Sequence, residues 1–204
     1  DDGTILLFDG MQWRPMVSGT EADLYGVWIA PAPDGVTDGA AGWTGFAVGR
    51  SGLILHYDGI GWQPMESDAT RHLYAVWGSA PSDVYAVGHA GMVLHYDGFH
   101  WDLVATDKKI TFRGVWGRSE SDVFVVGSVG RILHYDGAEW ISMAAPNAVC
   151  KGVWGRGRSV FVVGRQHFIL RYTDVGIRLP ARAVEGEGLM AGQGEVFVDQ
   201  ASTA

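Results

Sequence analysis

Three histidines, His56, His95 and His134, recur at an interval of 39 residues, each two places ahead of an aspartate that opens an Asp-Gly pair. Imidazole can bind metals or move protons near neutral pH, so a ring of such side chains could form a metal or acid–base centre. The spacing argues against one, because each histidine falls in its own repeat unit and the two remaining equivalent positions hold Leu7 and Arg171. A half-exposed packing role is expected for the three, with contact to a ligand as the alternative. Neither a metal nor a cofactor is expected.

Four tryptophans form a second recurring set. Gly26-Val27-Trp28, Ala75-Val76-Trp77, Gly114-Val115-Trp116 and Gly152-Val153-Trp154 share the pattern small, Val, Trp, and Met190 stands at the fifth such place. On a strand this puts the small residue and the indole on one face. The indole then either fills a wedge between packed sheets or reaches a groove and stacks on the apolar face of a sugar ring. Trp28, Trp77, Trp116 and Trp154, with His56, His95 and His134, are therefore the candidate ligand-binding residues.

Covalent or acid–base catalysis finds less to work with. Cys150, the single cysteine, lies in a strand pattern and excludes a disulfide framework or a Cys-x-x-Cys metal site. It reads as a packed thiol, without the His and Asn or Asp partners of a nucleophile. The segments LYGVW, LYAVW, FRGVW and CKGVW contain no Asp or Glu, and Asp83, Asp122 and Glu195 fall at strand starts, where turn capping accounts for them. No catalytic residue is assigned.

The elements that carry these residues are set by repetition. GLILHYDGIGW from Gly52, GMVLHYDGFHW from Gly91 and GRILHYDGAEW from Gly130 are near copies, with a weaker one from Gly3 and a decayed one from Phe168. Every copy but the one from Gly3 follows a Trp-ending run and a second apolar run ending in Gly, as in LYAVWG and VYAVG. Thirty glycines and short Val-, Tyr- and Trp-rich runs give an all-β chain, and one unit reads as four antiparallel strands joined by tight turns. Such a sheet cannot bury both faces alone, so neighbours stack around an axis as blades of a β-propeller.

Residues 1–204 are expected to form one domain, a five-bladed ring. EGLMAGQGEVFVDQ from Glu187 aligns with KGVWGRGRSVFVVG from Lys151 and supplies two strands, while the chain opens with only the last two strands of a unit. The fifth blade would thus combine two C-terminal and two N-terminal strands. Residues 31–42 form a Pro- and Gly-rich insertion; Asp34 and Asp38 within it fall short of a calcium loop.

The net charge of −8 is spread along the chain, which removes the electrostatic footprint of a nucleic-acid or anionic-membrane binder. No apolar run approaches the roughly 20 residues of a membrane span. The expected setting is extracellular or at the cell surface, with the periplasm as the alternative and any secretion signal removed ahead of Asp1.

VWGSAPSDVYAVGHAGMVLHYDGFHW from Val76 resembles the propeller repeats of bacterial, especially myxobacterial, surface and secreted proteins. It is also similar to repeats of the Asp-box or photosystem-assembly-factor type, and a five-bladed ring resembles the tachylectin type of sugar-binding propeller. The resemblance implies a propeller and a recognition role more than an activity. The leading expectation is a non-catalytic module binding carbohydrate at repeated sites between blades. The second is a protein-binding scaffold or assembly factor using one face, around the insertion and the variable turns at Arg50, His89, Ser128 and Arg165. A glycoside-active enzyme ranks third.

Overall fold

Local alternation and Asp-Gly chemistry produce the meander sheets that the repeat requires. The computed structural model describes residues 2–30, 42–105, 107–143, 145–146 and 148–173, and the backbone of 176–178. An N-terminal hairpin holds β1 (Ile5–Phe8) and β2 (Trp13–Met16). The first four-stranded sheet follows with β3 (Leu24–Ala30), β4 (Thr44–Gly49), β5 (Ile54–Tyr57) and β6 (Trp62–Pro64). The second holds β7 (Leu73–Ala80), β8 (Asp83–Gly88), β9 (Val93–Tyr96) and β10 (Trp101–Ala105). The third comprises β11 (Phe112–Ser119), β12 (Asp122–Gly127), β13 (Ile132–Tyr135) and β14 (Trp140–Met143). The fourth comprises β15 (Cys150–Arg156), β16 (Ser159–Gly164), β17 (Ile169–Thr173) and β18 (Gly176–Arg178).

In each four-stranded sheet the strands pair antiparallel in chain order, as the unit predicts. The first strands β3, β7, β11 and β15 lie against one another in succession, so they form the inner wall and the sheets stack like blades. The fifth, mixed blade is described only through β1 and β2; its other two expected strands, and the 31–42 insertion apart from Gly42, lie outside the described residues.

Turn chemistry matches expectation. The carboxylates of Asp9, Asp58, Asp97 and Asp136 each accept N–H groups two and three residues on, at 2.8–2.9 Å. These bonds hold each carboxyl below its usual range. At the opposite end of the sheets a short 3₁₀ turn joins the second and third strands. Gly91 in one of them has φ of +65°, and a Cβ there would collide with the Asp107 carbonyl, so only glycine fits.

The core lies between the blades. Phe46, Val48 and Ile54 of the first sheet pack against Leu73, Val76 and Leu94 of the second. Tyr85, Val87 and Val93 meet Phe112, Val115 and Val125 across the next gap, and Val126 and Ile132 meet Cys150, Val162 and Leu170 across the third. The small residue ahead of each Val-Trp pair allows the inner strands to approach: a Cβ on Gly26 would lie 3.1 Å from Ala75 Cα, and one on Gly114 3.3 Å from Gly152 Cα.

Candidate functional site

The same irregularity recurs in every inner strand. Pairing slips between Leu24 and Gly26, between Leu73 and Ala75, between Phe112 and Gly114, and between Cys150 and Gly152. Each bulge leaves one residue out of register: Tyr25, Tyr74, Arg113 and Lys151. A bulge re-aims the side chain it carries, and here four of them line up around the inner wall at one end of the stack. The rings of Tyr25 and Tyr74 lie 5.5 Å apart, and the Arg113 guanidinium carbon lies 5.2 Å from the centre of the Tyr74 ring. His72 meets both tyrosines edge-on at 6.1 and 6.2 Å, and its Nδ1 accepts the Ser51 N–H at 2.9 Å.

The charge of this arc opposes that of the chain. Lys151 is held below the usual lysine range, chiefly by the Arg113 charge, with burial and Arg165 adding to it. Neither Arg113 nor Lys151 is ion-paired among the described residues, and the buried Arg113 Nε has no hydrogen-bond partner among them. The variable turns stand at the same end. The N–H groups of Arg50, His89, Ser128 and Arg165 donate to the carbonyls of Asp23, His72, Thr111 and Val149, each just ahead of an inner strand. Aromatic faces beside unneutralised guanidinium and ammonium groups suit a polar, anionic or aromatic chain segment.

The residues singled out from the sequence fall elsewhere. A Cβ on Gly78 would lie 2.9 Å from the Trp28 ring and one on Gly155 2.5 Å from the Trp116 ring, and Gly117 faces Trp77 more closely still. Trp28, Trp77 and Trp116 are thus half-buried wedges against the following blade, while Trp154 is exposed. The histidines stay in separate sheets, each covering an aromatic ring of its own second strand. His56 lies 4.9 Å from Phe46, His95 4.4 Å from Tyr85 and His134 4.3 Å from Phe124. Their Nε2 atoms bond to Thr44 at 2.7 Å, Asp83 at 2.7 Å and Asp122 at 2.8 Å. Arg171 repeats the device, stacking on Phe161 and donating to Ser159. Burial lowers the His56 pKa.

Ser79, Asp83 and His95 form a chain, but the carboxylate is in the middle: Ser79 donates to Asp83, and His95 contacts the same carboxylate. A histidine must touch the hydroxyl to act as its base, so this arrangement orients and does not activate. Burial pushes the Cys150 thiol up to about 11. Among the described residues no group of three His, Cys, Asp or Glu could hold a metal ion, and no helix is long and apolar enough to cross a membrane.

Tyr25, Tyr74, Arg113 and Lys151 are absent from the sequence-derived candidates. The available signal was their place directly ahead of the repeated small-Val-Trp pattern, where two tyrosines give way to Arg and Lys.

No protein-family model matches the chain, and no curated protein matches it. Among solved structures it is similar to YCF48 bound to D1 peptide, at 15% identity and a TM-score of 0.63, covering 85% of this chain and 61% of that one. It is also similar to the Cps50 (Swd1) β-propeller domain of Myceliophteria thermophila, at 13% identity and a TM-score of 0.65, covering 84% and 59%. The computationally designed Ika4 protein matches at 12% identity and a TM-score of 0.60, covering 77% and 94%. The chain thus spans about three-fifths of the two natural proteins. At these identities the likeness is one of fold, that of a β-propeller.

Proposed function

We propose that this chain is a non-catalytic protein-interaction domain on a five-bladed propeller scaffold, which takes a peptide segment of its partner at the inner end of the blades. The row of bulged residues Tyr25, Tyr74, Arg113 and Lys151 carries the reading. They bring closely spaced aromatic rings, and positive charge that has no ion-pair partner among the described residues, to one place on a chain whose net charge is −8. The similar structure of YCF48 holds a peptide, which supports a protein partner. Carbohydrate is disfavoured because Trp28, Trp77 and Trp116 wedge against the next blade and do not lie flat on an open surface.

A displayed library of random peptides selected on the intact protein tests this. Selected peptides are expected to be acidic or aromatic and to lose at least about tenfold in affinity with Tyr74→Ala or Arg113→Ala, the scale of one hot-spot contact. Peptides that bind both variants as tightly as the parent would refute the site. Glycan-array binding abolished by Trp77→Ala and Trp116→Ala would favour carbohydrate instead.

A further inference from the structure

Each four-stranded sheet ends outward in a strand whose far edge pairs with no other strand among the described residues, and the N-terminal hairpin ends in the same way at β2. Such an edge presents backbone N–H and C=O groups that template a further strand unless a proline, a charge or a bulge blunts it. Four of these outer strands differ in how they are guarded. Opposite a leucine of the neighbouring strand, β2 carries Pro15 and β6 carries Pro64, while β14 carries Ser142, whose hydroxyl accepts from Arg131 Nη1 at 2.8 Å. At the same place β10 carries Leu103, opposite Leu94.

Strand pairing explains the prolines. The Asp97 N–H donates to the His100 carbonyl, and successive antiparallel pairs then alternate between unbonded and bonded, so Trp101 and Leu103 turn their N–H and C=O groups away from β9. The same count in β6 runs from the bond between Asp58 and Gly61 and leaves Pro64 outward, where a missing donor breaks no ladder bond. Met65, the next residue, donates inward to the Ile54 carbonyl at 2.9 Å, as the alternation requires. Leu103 therefore keeps open a donor that Pro15 and Pro64 remove. The slip in register between Leu103 and Ala105 comes after both outward residues and does not close the edge.

Side chains make this edge apolar as well. Leu103 is 49% exposed, Val104 is 41% exposed, and Phe99 in the turn ahead of the strand is 80% exposed. Asp102, also exposed, stands on the opposite face from Leu103. We propose that the outer edge of the second sheet is a strand-addition site, which takes an extended segment of a partner protein with an apolar residue opposite Leu103 and a basic residue opposite Asp102. The occupant follows from the groups left open: outward N–H and C=O groups are satisfied at strand spacing by the backbone of an extended chain, and a carboxylate is matched by a cation. A second copy would bring another Asp102 and another net charge of −8 to the contact, which disfavours it. The site lies on the outer rim, while the bulged row lies on the inner wall, and neither depends on the other.

A capped synthetic peptide of alternating valine and lysine, titrated into the isotope-labelled intact protein at physiological salt and followed by NMR, tests the site. The amides of Trp101 and Leu103 are expected to shift with the peptide and to exchange at least about tenfold more slowly when it is bound. Leu103→Pro should fold, since Pro15 and Pro64 already hold that place, and should weaken the peptide at least about tenfold by removing one bond and leaving its acceptor unpaired. N-methylation of the peptide's valines should weaken it as much with the protein unchanged. Binding that neither change weakens would be attraction of a cationic peptide to an acidic chain and would overturn the proposal. Absence of binding at about 1 mM peptide would overturn it too. So would protection of Leu103 that grows with protein concentration alone, which would assign the edge to a second copy.

Discussion

Replacing Arg113 by methionine should stabilise the free protein while weakening what it binds. Three terms are in play. The guanidinium lies 5.2 Å from the Tyr74 ring centre, a cation–π contact of about 0.5–1 kcal/mol at a partly exposed site. Against it, the buried Nε has no hydrogen-bond partner among the described residues, which costs about 1–3 kcal/mol. The third term is repulsion, since Arg113 is the main cause of the lowered Lys151 pKa. Methionine keeps an unbranched stem and a polarizable atom against Tyr74 without the orphan donor. The net gain is about 1 kcal/mol, and for a chain of this size the thermal midpoint should rise by about 2–4 °C. Calorimetry measures the midpoint, and NMR titration of the lysine side chains should show Lys151 moving up toward the ordinary lysine value. A loss of more than about 1 kcal/mol would mean that Arg113 is held by a partner and is structural. An unmoved Lys151 would refute the charge coupling.

Gly117→Ala should cost about 1–3 kcal/mol by overpacking the Trp77 ring, and Trp77→Phe in the same chain should recover part of it in a double-mutant cycle; full additivity would show that the two do not meet. His134→Leu removes the stack on Phe124 and the bond to Asp122 and should cost about 1–2 kcal/mol, while affinity for a selected peptide changes less than about twofold. A large affinity loss at unchanged stability would return the histidines to the binding site. The carboxyls of Asp58, Asp97 and Asp136 are held below their unfolded values by backbone N–H groups. Their contribution is therefore full above about pH 4 and is lost as pH falls through the folded values. Thermal midpoints followed from neutral to about pH 2 should drop less steeply for Asp97→Asn than for the parent.

Much of this protein was legible before any coordinates. The 39-residue repeat, the Asp-Gly hairpins and the small-Val-Trp motif gave the four-stranded unit and its order, and offered the wedge as one of two roles for Trp28, Trp77 and Trp116. Those features are local: a turn needs its carboxylate and glycine within three residues, and alternation decides a face within one strand. The histidines were legible as packing residues but not as clamps on Phe46, Tyr85 and Phe124, because that partner sits on the neighbouring strand. The axial row lay furthest out of reach. Tyr25, Tyr74, Arg113 and Lys151 look like ordinary strand positions in the sequence, and only the slip in pairing with β4, β8, β12 and β16 turns them together toward one end. A bulge belongs to a pair of strands and a charged arc to four sheets, so both arise from packing that no single segment encodes.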